Sequence, residues 1–182
     1  MFGSASNSCA DTSRRTGLVG ALVFLALTCA TLRSQGGQGA DQKVDLIVIV
    51  KSARTMTLES GGRVLKTYKV ALGGQPVGPK HQQSDHKTPE GDYLVDAKNP
   101  HSQFHMALHI SYPNAQDRAW ARKTGVNPGG DVEIHGLGKG FGWIGPAQRL
   151  NDWTDGCIAV TNREIEEIYK LIPVGTRVEI RP

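Results

Sequence analysis

One cysteine and one histidine have the surroundings expected of a nucleophile and its base. Cys157 directly follows Gly156, and 22 residues before the cysteine a strand-like run ends in His135 and Gly136. A thiol is a strong nucleophile only as a thiolate, and a neighbouring imidazole is the usual means of forming one at neutral pH. Gly156 leaves room for a carbonyl group beside the sulfur, and Gly136 allows a sharp turn after the histidine. The pattern therefore predicts a catalytic pair for acyl transfer.

The residues next to Cys157 are candidates for stabilising and binding a substrate. Acyl transfer needs hydrogen-bond donors for the oxygen that becomes negative, and the backbone N–H groups of Gly156 and Cys157 are predicted to supply them. Thr154 and Asp155 are polar neighbours that could contact the substrate. Two interpretations of Asp155 stay open: its carboxylate binds a cationic amine, or it accepts backbone hydrogen bonds in a turn.

Histidine and tryptophan side chains elsewhere suggest further parts of a site. His101, His105 and His109 are spaced by four residues. The surrounding pattern predicts a strand, on which residues four apart are separated by ~13 Å, too far to share one metal ion. We therefore expect no metal, and His105 and His109 either line a substrate groove or are polar residues of the sheet. Trp143 and Trp153 either wall the cleft or pack in the interior.

The elements that must position these residues are mainly strands. A diglycine at residues 61–62 predicts a hairpin, and the glycine-rich segment 136–145 predicts a flexible active-site lid. Thr161 and Glu164 form a capping-box pattern, which predicts a helix that ends before Pro173. A shorter helix is expected at 114–123. Apolar runs predict strands at 46–50, 55–59, 64–72, 93–96, 106–110, 131–134 and 177–180. The expected fold is a mainly-β sandwich with one helix packed after the cysteine strand.

Composition argues against nucleic-acid binding. The chain has 182 residues and a formal net charge of +4, and residues 1–40 hold three arginines and one aspartate. The remainder therefore carries 18 basic and 16 acidic residues. A balance near neutrality provides no basic surface for a nucleic-acid backbone, so no nucleic-acid partner is expected.

The N-terminal residues predict export from the cytoplasm. Arg14 and Arg15 precede an apolar run at residues 18–32, the pattern of a secretory signal peptide. We interpret 1–34 as a signal peptide or an uncleaved N-terminal anchor, 35–43 as a flexible linker and 44–182 as a catalytic domain. Membrane contact is expected only through an uncleaved anchor. The expected location is the periplasm or cell envelope, where Cys157 would be the lone remaining thiol.

The segment around Cys157 resembles the L,D-transpeptidase catalytic domain (YkuD-like) of bacterial cell-wall enzymes. That family carries a His-Gly pair and then a Ser/Thr-His-Gly-Cys segment about twenty residues later. Thr154, Gly156 and Cys157 match this segment, whereas Asp155 replaces its histidine and Ala159 stands where an arginine or asparagine is common. The resemblance extends over about residues 45–182.

Residues 108–113, Leu-His-Ile-Ser-Tyr-Pro, are most similar to the YafK-like branch of that family. The resemblance implies that Cys157 is acylated by a peptidoglycan stem peptide, that His135 activates it, and that no cofactor takes part. It implies an amine-bearing acceptor, either a second peptide or an envelope protein, so that the reaction crosslinks the wall or attaches a protein to it.

Three functions remain open at this level. The first is an exported L,D-transpeptidase. The second is a peptidoglycan peptide hydrolase or carboxypeptidase that uses the same nucleophile with water as acceptor, since Asp155 and Ala159 both depart from the family pattern near the acceptor side. The third is a non-catalytic wall-binding module. The combination of His135 and Cys157 argues against the third, because a binding domain does not need a free thiol.

Overall fold

The computed structural model describes residues 43–182. The predicted signal peptide or anchor, and the predicted linker up to residue 42, lie outside the described residues. Residues 43–182 form eight β-strands, two α-helices and a 3₁₀ segment at Gly142–Leu150. The strands are β1 Leu46–Val50, β2 Thr55–Ser60, β3 Arg63–Lys69, β4 Gly91–Asn99, β5 Ala107–Ile110, β6 Glu133–His135, β7 Ile158–Ala159 and β8 Arg177–Arg181, and the helices are α1 Ala115–Thr124 and α2 Asn162–Leu171.

The strands form one hydrogen-bonded sheet in the order β3-β2-β1-β8-β4-β5-β6-β7. The strand β4 joins the two halves of this sheet. Its first residues, from Gly91 to Leu94, pair with β8, and its later residues, from Val95 to Asn99, pair with β5 across a register shift. The shift marks a bulge, which bends a strand and increases its twist. The predicted mainly-β fold is confirmed, and the two layers expected of a sandwich are halves of one curled sheet.

Both halves of the sheet contribute to a single hydrophobic core. Met56 and Leu58 alternate with threonines along β2 and are fully buried, as the period of two predicts. The helix α2 covers part of this core with Ile165 and Ile168 and contacts β5 and β6. The predicted helix after the cysteine strand is therefore confirmed, and it packs behind the strand that carries His135.

Local sequence signals located the hairpin turn and the start of α2 correctly, and the helix expected at 114–123 is α1. Gly61 and Gly62 both have positive φ angles, 54° and 76°, as the two central residues of a tight hairpin turn require. The helix α1 begins with a capping box from Asn114 and ends at Gly125 in the left-handed conformation. The helix α2 has the predicted capping box between Thr161 and Glu164.

One local prediction was wrong. His105 has a φ angle of 76° and lies outside a strand, because β5 begins only at Ala107. The segment predicted as a flexible lid, 136–145, overlaps the first of two short 3₁₀ turns that meet at Gly145, and its role as a lid stays a prediction. Among the described residues, no helix is both long enough and apolar enough to cross a membrane.

Candidate active site

Adjacent parallel strands bring Cys157 and His135 to one face of the sheet. The strand β6 pairs with β7 in a register that aligns Ile134 with Ile158 and His135 with Ala159. Ile134 and Ile158 are fully buried in the core. Since side chains alternate along a strand, His135 and Cys157 both lie on the opposite face, two residues apart in the register. The structure therefore places His135 at the end of β6 and Cys157 directly before the neighbouring β7, with a common orientation.

The Cys157 sulfur is half-buried and hydrogen-bonded to backbone. The Glu133 N–H donates to Sγ at 3.4 Å, and the thiol lies 3.6 Å from the Asp131 carbonyl oxygen. Burial raises the pKa of Cys157 to about 11, and the negative charges of Glu133 and Asp155 act in the same direction. The resting nucleophile is thus a neutral thiol, which must lose its proton as it attacks.

This environment predicts a specific pH dependence for the chemical reactivity of Cys157. Alkylation requires thiolate, so its rate should rise about tenfold for each pH unit between pH 7 and 10. The rise should continue past the ordinary thiol pKa of about 8.5. Stopped-flow alkylation of the full chain with iodoacetamide measures this profile. A plateau below pH 8 would show instead a stable thiolate paired with protonated His135.

His135 is buried and oriented by its neighbours. Its Nδ1 lies 2.6 Å from the Gly136 carbonyl oxygen, which can only accept, so Nδ1 carries the proton. Burial lowers the pKa of His135, although the bond to Gly136 opposes the change. The ring stacks on Phe104 at 4.4 Å between centroids and meets the edge of Trp153 at 5.9 Å. A neutral imidazole in this tautomer has a free electron pair on Nε2 and can accept a proton.

Gly136 has a different structural role from the one predicted. Its φ angle does not require glycine. A Cβ atom at this position would lie 2.8 Å from the Asn162 side-chain oxygen and 2.9 Å from the Phe104 carbonyl oxygen. Glycine is therefore needed for close packing of β6 against these two neighbours, and its carbonyl fixes the imidazole.

Gly156 is required by both conformation and space. Its φ angle is +130°, and a Cβ atom would lie 2.5 Å from the Lys87 carbonyl oxygen. Its N–H donates to the Thr154 hydroxyl oxygen at 3.2 Å. The N–H group predicted to bind an oxyanion thus already has an acceptor in this structure, and its role in catalysis stays a prediction. Among the described residues, the Cys157 N–H has no backbone acceptor and remains the candidate oxyanion donor.

Substitution of Gly156 is expected to destabilise the nucleophile turn. Gly156→Ala combines backbone strain with a clash against main chain, and we expect a loss of about 2–4 kcal/mol in the free energy of unfolding. Gly140→Ala is the matched control, because Gly140 also has a positive φ angle, +86°, but open space around its Cβ position. Urea unfolding measures both. Equal losses in the two variants would contradict the close-packing account.

Thr154 and Asp155 differ in their exposure and partners. Thr154 is buried, and its hydroxyl donates to the Cys157 carbonyl oxygen at 2.7 Å, so it shapes the turn. The Asp155 side chain is 85% exposed and lies 2.6 Å from Nδ1 of His86. Neither of the two interpretations of Asp155 had included this histidine. No local pattern joins residues 86 and 155, so sequence reasoning had no signal for the pair.

The other two candidate histidines are held by carboxylates on separate elements. His105 Nε2 lies 2.7 Å from Glu166 on α2. His109 Nδ1 lies 2.5 Å from Asp96 on β4, and His109 is paired with Glu133 in the register of β5 and β6. His109 is therefore next to the strand that contacts the nucleophile, whereas His105 is engaged with the helix. Among residues 43–182, no three side chains of the His, Cys, Asp or Glu types group as a metal site would need.

The two candidate tryptophans lie in different surroundings. Trp153 borders His135 and lines a cavity of about 420 Å³ together with Phe104, Leu137, Phe141 and side chains of the 3₁₀ segment. Its indole N–H donates to Gln148 at 2.9 Å, which fixes the ring. Trp143 is 84% exposed and is not part of this cavity wall. The cavity gives the site an apolar side next to the base.

Comparisons with known proteins show the family to which this chain belongs. The family model described as the L,D-transpeptidase catalytic domain, YkuD, matches residues 44–180. YafK of Escherichia coli (strain K12), which is provisionally named an L,D-transpeptidase, is 33% identical over 132 residues. The aligned region covers 69% of this chain and 46% of YafK.

Solved structures share the fold. Pgp2, the helical cell shape determining protein of Campylobacter jejuni, superposes with a TM-score of 0.59 and 25% identity, covering 77% of this chain and 48% of Pgp2. An L,D-transpeptidase from Mycobacterium smegmatis gives a TM-score of 0.51 at 18% identity, covering 75% of this chain and 58% of that protein. This chain spans about half the length of YafK and Pgp2. With a family model matched across nearly all described residues, the chain belongs to the YkuD family of L,D-transpeptidase catalytic domains.

Proposed function

We propose that this protein is an exported cysteine acyltransferase that acts on peptidoglycan stem peptides, either crosslinking the wall or attaching a protein to it. The observation that carries the proposal is the common face of Cys157 and His135 on adjacent parallel strands, with the imidazole tautomer set by Gly136. Family membership and the expected N-terminal export signal support it. Peptidoglycan lies outside the cytoplasmic membrane, so the substrate and the predicted location agree.

The first half-reaction forms a thioester. His135 Nε2 accepts the thiol proton while the Cys157 sulfur attacks the carbonyl carbon of the third residue of a tetrapeptide stem. The negative oxygen of the tetrahedral intermediate accepts a hydrogen bond from the Cys157 N–H. When the intermediate collapses, the carbon–nitrogen bond breaks and the terminal D-alanine leaves with the proton from His135. Because the resting thiol is neutral, proton transfer and attack are coupled in this scheme.

The second half-reaction transfers the acyl group to an amine. The acceptor nitrogen attacks the thioester carbon, His135 accepts its proton, and the thiolate leaves and recovers a proton. The negatively charged Glu133 and Asp155 lie on the nucleophile side of the cleft and raise the pKa of the thiol. The same charges would attract an ammonium group to this side, which supports an amine-bearing acceptor.

Hydrolysis is the second candidate, with water replacing the amine. The observation that favours it is Ala159, a fully buried residue at the position where the family commonly has an arginine or asparagine. The site thereby has one polar side chain fewer with which to hold an acceptor peptide. The product would be a stem shortened by its terminal residue.

Incubation of the full chain with purified tetrapeptide muropeptides distinguishes these functions. Mass spectrometry of the products should show crosslinked dimers and free D-alanine if the protein is a transpeptidase. Tripeptide monomers without dimers would replace the proposal by hydrolysis. An unchanged substrate, with the thiol shown to be reduced, would contradict both enzymatic functions and favour a wall-binding module.

A further inference from the structure

A buried lysine outside the predicted site lies beside the nucleophile turn. Lys80 is 5% exposed, although lysine is rarely buried unless its charge has a partner. Its ammonium lies 2.8 Å from Asp85, 3.2 Å from the Gln82 carbonyl oxygen and 3.5 Å from the Asp155 carbonyl oxygen. The last contact joins this lysine directly to the residue two positions before Cys157.

The carboxylate of Asp85 binds Lys80 and the neighbouring backbone. It accepts from Lys80 and from the backbone N–H groups of His81, Gln82 and Lys87. Burial acts to raise the pKa of Asp85, but these hydrogen bonds outweigh it and lower the pKa to about 2. The carboxylate is therefore ionised at neutral pH, and the pair with Lys80 holds the backbone at residues 80–87.

This backbone in turn contacts the nucleophile turn. The Lys87 carbonyl oxygen occupies the space in which a Cβ atom of Gly156 would lie, at 2.5 Å. The side chain of Lys80 approaches the same position at 3.6 Å. Lys80 thus contacts the nucleophile turn, residues 154–157, directly. Through Asp85 it also holds the loop segment whose Lys87 carbonyl packs on Gly156.

Three charged side chains act on the Cys157 thiol. Glu133 and Asp155 are negative and disfavour the thiolate, whereas Lys80 is the cation that favours it. Asp131 also contributes negative charge near Glu133, and His86 is paired with Asp155. Because an opposite charge stabilises an ionised group, Lys80 offsets part of the acidic surroundings as the thiol loses its proton.

We propose that Lys80 is a positioning residue for Cys157: its ammonium fixes the 154–157 turn through Asp155 and Asp85 and stabilises the developing thiolate. The proposal rests on the assignment of Cys157 as the nucleophile. Lys80 does not touch the substrate in this account. It acts by keeping the sulfur and the Cys157 N–H in place as charge develops.

Lys80→Met tests this proposal, with Lys51→Met as the matched control. Lys51 is also buried and is hydrogen-bonded to Gly78, Thr88 and Glu90 in the same connection between β3 and β4, but it makes no hydrogen bond to residues 154–157 or to Asp85. Lys80→Arg keeps the charge, and Lys80→Met with Asp85→Asn removes the ion pair without leaving an unpaired carboxylate. Circular dichroism establishes that each variant is folded at the assay temperature.

Two readouts on the full chain separate positioning from stability. For Lys80→Met and for the double variant, alkylation of Cys157 at pH 8 should slow roughly threefold or more, since loss of the cation raises the thiol pKa. The kcat for D-alanine release should fall roughly 100-fold, as expected for misplacement of a nucleophile by about 1 Å. Lys80→Arg should recover most of both, and folded Lys51→Met should match the wild type.

These measurements distinguish a failure of the role proposed for Lys80 from a failure of the proposed function. Alkylation and kcat equal to wild type in folded Lys80→Met, or equal losses in Lys51→Met, would overturn the role of Lys80. A wild-type protein without D-alanine release would contradict the proposed function instead, and the alkylation rates would still report whether Lys80 acts on the thiol.

Discussion

Cys157→Ala is expected to reduce D-alanine release and dimer formation to the background of the uncatalysed reaction. The sulfur is the atom that forms the thioester in our account, and no other described cysteine can replace it. Its neighbours are backbone groups of Asp131 and Glu133, and its side chain is small. We therefore expect the free energy of unfolding to change by no more than about 1 kcal/mol.

Product analysis by mass spectrometry and thermal melting of the same preparation test this prediction together. Cys157→Ser is a useful control, since it keeps the size of the side chain but has a much weaker nucleophile. Normal activity in Cys157→Ala would refute the assignment of the nucleophile. If Cys157→Ala lost its activity because it unfolded, the melting data would contradict the small change in stability that we predict.

His135→Gln is expected to lower kcat by roughly two to four orders of magnitude, the usual contribution of a general base. The effect should be large because the thiol of Cys157, with a pKa raised to about 11, has no significant thiolate fraction at pH 7. Raising the pH should restore part of the lost rate, as hydroxide replaces the base. The pH profile of kcat between pH 6 and 10 measures both effects.

His105→Ala is the control for His135→Gln, because the His105 side chain is hydrogen-bonded to Glu166 on α2 and has no hydrogen bond to Cys157 or His135. We expect the control to keep the wild-type pH profile. A rate loss of less than tenfold in His135→Gln, with no change in the shape of the profile, would exclude His135 as the base.

Features that depend on neighbouring residues in the chain were predictable from the sequence. The alternation of Thr55 to Ser60, the diglycine at 61–62 and the capping box of Thr161 each correspond to the observed element. Such signals are local because hydrogen bonding and side-chain alternation act over one to four residues. The proposed pair of Cys157 and His135 also came from local sequence, since one glycine precedes the cysteine and another follows the histidine.

Contacts between distant segments were not predictable in this way. His86 contacts the Asp155 side chain, 69 residues away in the chain, and Lys80 contacts the Asp155 carbonyl oxygen, 75 residues away. No periodic pattern in the sequence predicts either contact. The sequence likewise did not show why residue 136 must be glycine, because the requirement comes from the close packing of Phe104 and Asn162 against β6. A single sequence records which residue is present, whereas these roles depend on which segments the curled sheet brings together.

The thioester on Cys157 is the central claim, and intact-protein mass spectrometry of the full chain after exposure to a carbapenem tests it most directly. A carbapenem carries a strained lactam carbonyl, which a thiolate beside an oxyanion donor should open to form a thioester. We predict a gain of one drug mass in the wild type, located on Cys157 by peptide mapping and absent in Cys157→Ala. No mass gain in wild-type protein whose thiol is shown to be reduced, or a gain on another residue, would contradict the acyl-enzyme account.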